Sequence, residues 1–146
     1  MTNHKVKNAT PLEYNNIQFK SRLEVMIYKT LLQEGFSVKY EPTKYIIWEG
    51  FKPNVSFYNK DKKTKMLKLD NRKLRDITYT PDFVFEYKDT TIVIEAKGFE
   101  NDTFPIKKKL FRKWLENQNS QGNKYIFFEI FTKRQLMQAI DIIKNI

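Results

Sequence analysis

The stretch from Asp82 to Lys97 is typical of a β-hairpin, and it limits the possible folds more than any other part of the sequence. Phe83 and Phe85 alternate with Val84 and Glu86 in the first strand, Asp82–Tyr87. The second strand, Thr91–Lys97, is apolar and rich in β-branched residues, and Gly98 ends it. Lys88–Thr90 supplies the turn. A hairpin of this composition predicts a sheet with a buried centre.

The elements around this hairpin predict a mixed α/β domain. Leu23, Ile27 and Leu31 recur at helical spacing within Ser21–Glu34, and Gly35 is a suitable stop. Further helices are predicted over Pro105–Asn117 and Lys133–Lys144. The remaining strands are predicted over Phe36–Tyr40, Tyr45–Trp48, Val55–Tyr58, Met66–Leu69, Leu74–Thr80 and Lys124–Phe131. This order of elements favours a central mixed sheet flanked by helices.

The length of 146 residues fits one domain. Residues 1–18 are polar and predict a loosely ordered N-terminal tail. Residues 19–146 are expected to form a single domain that carries a basic insertion at about 59–75. We find no internal repeat and no linker that would divide it.

The composition excludes several classes of site. The chain has no cysteine, so disulfides, thiol catalysis, zinc fingers and iron–sulfur clusters are excluded. Its single histidine, His4, lies in the predicted tail, which leaves carboxylates, lysines, hydroxyls and a bound ion for catalysis. No apolar run approaches the roughly 18–20 residues of a membrane span, and residues 1–14 lack the apolar centre of a signal peptide. We therefore expect a cytoplasmic protein with no membrane partner and no nucleotide cofactor.

The net charge of +10 is concentrated in two segments. Lys60–Arg75 has eight basic and two acidic residues, and Lys107–Lys113 has five basic residues and no acid, so the rest of the chain is slightly acidic. Such clustering is typical of proteins that bind polyanions, although a solvated loop and a solvated helix face would also account for it. The candidate DNA-binding residues are Lys63, Lys65, Arg72, Lys73, Lys107, Lys108, Lys109, Arg112 and Lys113.

The helix predicted over Pro105–Asn117 is amphipathic. Its basic residues lie opposite an apolar side formed by Ile106, Leu110, Phe111, Trp114 and Leu115. The basic face carries no acid before Glu116, which favours contact with the phosphate backbone over an ordinary solvated face. The following strand has aromatic residues that fit either the core or an interface, with the core favoured for at least half of them: Tyr125, Phe127, Phe128 and Phe131.

Carboxylates and a lysine meet at the end of the hairpin. Because side chains alternate along a strand, Glu95 and Lys97 share one face, while Ala96 lies on the other with the apolar residues. Asp82 follows Pro81 and can approach Glu95 across the hairpin. Two carboxylates can hold Mg²⁺, and a nearby lysine can position water and neutralise charge on a phosphate. A surface strand with alternating charges, next to a Pro-Asp turn, is the alternative.

Glu24 is the candidate fourth member of this site. It lies in Ser21-Arg22-Leu23-Glu24, at the start of the first predicted helix. The same four residues fit a capping box in which Ser21 caps the helix and Glu24 bonds back to the backbone. The catalytic role is slightly favoured because the resemblance described next includes it.

Pro81-Asp82, twelve intervening residues and Glu95-Ala96-Lys97 resemble the signature of the PD-(D/E)XK, or restriction-endonuclease-like, nuclease superfamily. The resemblance extends from Ser21 to about Lys113. Within the superfamily, this stretch most resembles phage endonuclease I-type Holliday-junction resolvases. The segments that carry it are Ser21–Glu24, Ile77–Phe83, Ile94–Gly98 and Lys107–Phe111.

The resemblance implies a restriction-endonuclease-like α/β core and a Mg²⁺-dependent DNA endonuclease, with Mn²⁺ able to substitute. Glu24, Asp82 and Glu95 would be metal ligands, and Lys97 would orient water and stabilise the transition state. It also implies a homodimer encoded by a phage or prophage. The basic insertion before Asp82 is longer than the endonuclease I pattern leads us to expect.

Three functions remain open at this point. The first is an endonuclease selective for branched DNA such as Holliday junctions. The second is a sequence-specific or nicking endonuclease of the same fold. The third is a non-catalytic DNA-binding protein, against which the clustered acids argue because they would repel phosphate in the absence of a cation.

Overall fold

The computed structural model describes residues 12–97 and 103–146. Residues 1–11 of the predicted tail, with His4, and the predicted strand end at Gly98 lie outside the described residues. Ten strands are described: β1 Leu12–Tyr14, β2 Ile17–Phe19, β3 Lys39–Tyr40, β4 Tyr45–Trp48, β5 Tyr58–Lys60, β6 Leu67–Leu69, β7 Ile77–Tyr79, β8 Phe83–Tyr87, β9 Thr90–Ala96 and β10 Lys124–Ile130. The helices in the described ranges are α1 Arg22–Gln33, α2 Phe104–Ser120 and α3 Lys133–Lys144.

The largest sheet has four strands in the order β10-β9-β8-β3. β8 and β9 form the predicted antiparallel hairpin, with Phe83 opposite Ile94 and Tyr87 opposite Thr90. β10 returns parallel to β9 after α2, and β3 pairs antiparallel with β8. The prediction of a mixed α/β domain with a central sheet and flanking helices is confirmed.

Both faces of this sheet are buried, which explains the apolar run in β9. On one face, Ile92 and Ile94 pack with Phe83 and Phe85 against the apolar sides of α1 and α3. On the other face, the core contains Val84 and Val93, covered by α2 and by the β4–β7 pair. The four-stranded sheet therefore lies between two helices on one side and one helix with a two-stranded ribbon on the other.

The N-terminal region differs from the prediction of a loosely ordered tail extending to residue 18. β1 and β2 form a hairpin in which Tyr14 pairs with Ile17, and Phe19 is buried in the core. The two-residue turn has positive φ at both Asn15 (53°) and Asn16 (63°), which is the geometry of a type I′ turn. The prediction was wrong here because the polar residues of this segment alternate with three apolar residues that pack on the core, Leu12, Tyr14 and Ile17.

The apolar side of α2 and the aromatic residues of the following strand largely follow the predictions. Phe104 and Phe111 are buried, and Leu110, Trp114 and Leu115 pack against the same core. Ile106 was predicted on this apolar side but is 62% exposed, because Phe104 fills the first turn instead. In the last strand region, three of the four predicted aromatic residues pack on the core and Phe131 is exposed: Tyr125, Phe127 and Phe128 pack there.

Residues 49–76 form an excursion between β4 and β7, which we call the arm. The outgoing and returning halves of the arm are joined by backbone hydrogen bonds. The Leu74 N–H donates to the Phe51 carbonyl, and the Asp70 N–H donates to the Phe57 carbonyl. At its base, a Cβ on Gly50 would lie 2.0 Å from the Leu74 carbonyl oxygen, so only glycine fits this close approach. β5 and β6 form its outer hairpin, and all six of their residues are exposed. The predicted basic insertion lies within the arm.

Among the helices of the two described ranges, none combines the length and the apolar composition that crossing a membrane requires.

Candidate active site

The hairpin register places Asp82 and Glu95 side by side. β8 and β9 pair from Phe83 opposite Ile94, and one step further along brings Asp82 opposite Glu95. The Asp82 N–H donates to Glu95 Oε1 at 3.4 Å, and the Ala96 N–H donates to Asp82 Oδ2 at 2.8 Å. Backbone groups of the hairpin thus hold both carboxylates at the end of the sheet.

Glu24 reaches the same place from the first turn of α1. Its Oε1 accepts hydrogen bonds from the Lys20 N–H at 2.8 Å and from the Tyr40 hydroxyl at 2.9 Å. Ser21 caps α1 by accepting from the Glu24 N–H at 3.1 Å. Half of the capping box is therefore present, and the Glu24 side chain bonds back to Lys20 rather than to Ser21. The Glu24 carboxyl also lies close enough to Asp82 that its charge contributes to the raised pKa of Asp82.

Lys97 follows β9 directly and is buried, with 5% of its surface exposed. Its N–H donates to the Ile130 carbonyl, which fixes the backbone at the end of β9 against β10. Its Nζ lies 3.4 Å from the centroid of the Phe104 ring, and its positive charge partly opposes the rise in the pKa of Glu95 that burial causes. The structure therefore brings Glu24, Asp82, Glu95 and Lys97 into one pocket.

Two tyrosines donate hydrogen bonds to acids of this pocket, Tyr79 to Glu95 and Tyr40 to Glu24. The Tyr79 hydroxyl donates to Glu95 Oε1 at 2.6 Å, and its ring packs against Phe104 and Phe111. Burial and the neighbouring carboxylates raise the pKa of both Tyr79 and Tyr40, so both hydroxyls stay protonated donors. These two residues were missed from the sequence. Nothing in the strand pattern marks Tyr40, and Tyr79 is visible only as part of the segment before Pro81.

Burial and mutual repulsion disturb the ionisation of the acids. Desolvation raises the pKa of Asp82 to about 8, and the charges of Glu95 and Glu24 add to this effect. Desolvation also raises the pKa of Glu95, while the Tyr79 hydrogen bond and the Lys97 charge act in the opposite direction. Because Asp82 and Glu95 titrate together, the pair retains a proton to a higher pH than two exposed carboxyls would.

The donor atoms match the preferences of a hard divalent cation. Hydrogen bonds from the backbone and the tyrosines use Glu24 Oε1, Glu95 Oε1 and Asp82 Oδ2, and carboxylate oxygens are the ligands that Mg²⁺ prefers. Within residues 12–97 and 103–146, no three His, Cys, Asp or Glu side chains converge in a geometry ready to hold an ion. The chemistry of the pocket fits a cation, and holding one requires the carboxylates to turn toward a common point.

The predicted DNA-binding residues of α2 lie beside this pocket. Lys109, Arg112 and Lys113 are exposed, whereas Lys107 and Lys108 are half-buried. Lys108 forms an ion pair with Glu129 at 3.0 Å, and Glu129 lies opposite Glu95 in the β9–β10 register. A groove of about 700 Å³ runs along α2 and β10, which pack on each other through aromatic contacts. Its lining combines basic and aromatic residues with two acids: Lys108, Lys109, Arg112, Lys113, Tyr125, Phe127, Glu116 and Glu129. Glu129 is a further acid of this region that the sequence did not single out.

The predicted DNA-binding residues of the arm lie apart from the acids. Lys63, Lys65 and Lys73 are exposed. Arg72 donates through Nε and Nη2 to both oxygens of Asp70, at 3.0 and 2.8 Å, and lowers the pKa of Asp70 to about 2. The arm thus adds a second basic surface, distinct from that of α2.

Fold and pocket together define an α/β protein with buried acids and a lysine at the end of its central sheet. The chain matches the model of a family described as "Protein of unknown function (DUF1064)" over residues 4–126. It therefore belongs to this family, and the matched region contains all four residues of the pocket. No curated protein and no solved structure matches the chain closely enough to indicate a relationship.

Proposed function

We propose that this protein is a Mg²⁺-dependent endodeoxyribonuclease with a restriction-endonuclease-like core, selective for branched DNA such as Holliday junctions. One observation carries the proposal: Asp82, Glu95 and Glu24 meet Lys97 in a buried pocket at the end of an apolar sheet. Three clustered acids, of which Glu24 and Asp82 are buried and Glu95 is half-buried, have no structural benefit of their own, because burial and repulsion oppose their ionisation. A site for a cation and a phosphate accounts for them.

Asp82, Glu95 and Glu24 would hold the ion, with Mn²⁺ able to replace Mg²⁺. A bound Mg²⁺ would polarise the phosphate and lower the pKa of a water molecule. Lys97 contributes a positive charge next to Glu95, where it can orient the attacking water and offset the negative charge that develops on the phosphate. Tyr79 and Tyr40 fix one oxygen of Glu95 and of Glu24 and so limit the rotation of these carboxylates.

DNA would be held by the two basic surfaces. The exposed residues of α2 border the groove beside the pocket, and those of the arm form a second, separate surface. Contacts of this kind go to phosphates and give affinity that falls with salt, without sequence discrimination. Two separate surfaces suit two arms of a branched molecule, and a homodimer would supply the two active sites that resolving a junction requires.

The direct test compares an immobile four-way junction with its matching linear duplex, each labelled and incubated with Mg²⁺. We expect wild type to cut the junction near the branch. Lys97→Met keeps the length of the side chain but loses the charge, and we expect it to cut at least about 100-fold more slowly. Lys124→Met, at an exposed position of β10, is the matched control and should cut as wild type does.

The other results discriminate among the alternatives. Equal cutting of the linear duplex would support a sequence-specific or nicking nuclease. Junction binding without cutting by any variant, in Mg²⁺ or Mn²⁺, would refute the nuclease and support a non-catalytic DNA-binding protein. One observation favours the non-catalytic DNA-binding protein: the described acids do not converge in a geometry ready to hold a metal ion.

The arm can be tested by shortening it. Because the Asp70 N–H already bonds to the Phe57 carbonyl, an Asn-Gly turn can replace residues 58–69 and close the ribbon. This removes five lysines, and we expect weaker junction binding with a shallower dependence on salt, by about 0.9 in log–log slope for each lost phosphate contact. An unchanged slope, measured by fluorescence anisotropy, would exclude residues 58–69 from DNA contact.

A further inference from the structure

Residues 51–57, in the first half of the arm, alternate strictly between apolar and polar side chains. One groove is lined by the four apolar residues of this segment and by Leu74 from the returning half of the arm. We call these five residues the apolar stripe: Phe51, Pro53, Val55, Phe57 and Leu74. Apolar residues at every second position are typical of a strand with one buried face. Here that face lies in solvent: Val55 is 84% exposed and Phe57 is 57% exposed.

This exposure is concentrated rather than scattered. Of the fourteen exposed large hydrophobic residues in the described ranges, eight lie between Phe51 and Leu74. Four of these eight line the one groove, Phe51, Val55, Phe57 and Leu74, and an apolar patch of this kind marks an interaction site. The groove along the stripe has a volume of about 610 Å³, within the range of sites that take small ligands, roughly 300–1,000 Å³.

The charges around the stripe indicate its occupant. Arg72, Lys73 and Arg75 line the same groove, against one acid, Asp70. A second copy of the chain seated on the stripe would bring together two segments with a net charge of +6 each, which opposes association. A nucleic-acid strand is complementary, because its phosphates match the cations and its bases match the apolar surface.

We infer that the apolar stripe binds unpaired bases of single-stranded DNA, an inference that rests on the proposed function and names a further part of its substrate. Phe51 and Phe57 offer ring faces on which bases stack, and Lys73 and Arg75 lie where the flanking phosphates would run. Paired bases inside a duplex do not expose these faces. Among branched DNA molecules, those with unpaired nucleotides next to a duplex should therefore bind more tightly than a fully paired junction: the duplex lies on α2 and the unpaired part on the arm.

The test measures binding of fluorescein-labelled dT12 and of a labelled 12-base-pair duplex by anisotropy in EDTA. The full chain is compared with Phe51→Ala/Phe57→Ala and with a control, Phe131→Ala, whose side chain is 52% exposed outside the arm. We expect the double variant to bind dT12 at least tenfold more weakly, about the effect of losing one stacked base, and the duplex within twofold of wild type. The control should match wild type on both.

Two results would overturn the inference. One is equal dT12 binding by wild type and the double variant, or none by wild type. The other is a wild-type dimer in sedimentation that the double variant converts to monomer with unchanged dT12 binding, since the stripe would then be an interface between copies. Because EDTA prevents metal-dependent cleavage, these results are independent of the nuclease assay. Thermal unfolding of each variant checks that the fold is intact.

Discussion

The acid pocket and the arm use charged residues in opposite ways. In the pocket, Asp82 and Lys97 are 6% and 5% exposed, and backbone N–H groups and tyrosine hydroxyls hold the carboxylates. In the arm, Lys63 and Lys65 lie in solvent on a ribbon whose outer strands are exposed at every position. Burial changes the chemistry of a charge because it shifts the pKa, whereas exposure leaves the charge able to attract a polyanion.

The same contrast extends to apolar residues. Leu31 of α1 is fully buried in the core on which the pocket is built, whereas Leu67 of the arm is 76% exposed. An exposed two-stranded ribbon has little stability of its own. The packed domain therefore holds the acids in fixed positions, whereas the arm provides exposed surface.

The largest expected difference between the two regions is in the free energy of unfolding lost when a leucine is shortened to alanine. Leu31→Ala removes a side chain from the core and should lower the free energy of unfolding by about 2–5 kcal/mol. Leu67→Ala should change it by less than about 0.5 kcal/mol. Urea unfolding followed by circular dichroism measures both, and similar losses would show that the arm is part of the cooperative fold.

A smaller effect concerns pH. The pKa of Asp82 is raised from 3.8 to about 8, so the folded protein keeps a proton that the unfolded chain has already lost. The stabilisation from this group is complete below about pH 4 and declines as the pH rises through 8. In EDTA, wild type should lose on the order of 3 kcal/mol across this window, less than the full shift allows because neighbouring acids share the titration.

Asp82→Asn removes the titrating group, and its unfolding free energy should vary much less between pH 5 and pH 8.5. Urea titrations at the two pH values, both in EDTA, compare the two proteins directly. Parallel profiles for wild type and the variant would contradict the assignment of a raised pKa to Asp82.

The smallest effect distinguishes a tyrosine of the pocket from one of the arm. Tyr79→Phe deletes the hydroxyl that donates to Glu95, and we expect a loss of about 1.5–3 kcal/mol at most in unfolding free energy, together with weaker Mg²⁺ binding. Tyr58→Phe, on the exposed strand β5, should leave both unchanged. Calorimetric titration with Mg²⁺ gives the second quantity. Equal Mg²⁺ affinity for all three proteins would show that Tyr79 does not position Glu95.

Much of the fold could be predicted because long periodic segments carry strong local signals. β4 and α3 have the predicted bounds, Tyr45–Trp48 and Lys133–Lys144, and the β8–β9 hairpin differs by one residue at most. The β1–β2 hairpin was missed, although its signal is present: Asn15-Asn16 stands between alternating apolar residues, a pattern that favours a type I′ turn. Phe36 is buried outside a strand, because burial and strand pairing are separate requirements.

The candidate pocket was partly visible for the same reason. The spacing of Asp82 and Glu95 follows from hairpin register, which is local, and the face shared by Glu95 and Lys97 follows from strand alternation. Tyr40 and Glu24 meet across 16 residues of sequence, and no periodicity reports such a contact. The exposure of the apolar stripe could not be predicted from the sequence either, because alternation predicts a buried face. The structure shows that nothing in the described residues covers that face.

Mg²⁺ binding at pH 8 shows whether Glu24, Asp82 and Glu95 form a site for a divalent cation. Isothermal titration calorimetry should show saturable binding to wild type, at least tenfold weaker binding to Asp82→Asn, and unchanged binding to Asp61→Asn, which alters an acid in the turn of the arm. Absence of Mg²⁺ binding by wild type, or equal binding by Asp82→Asn, would contradict the account.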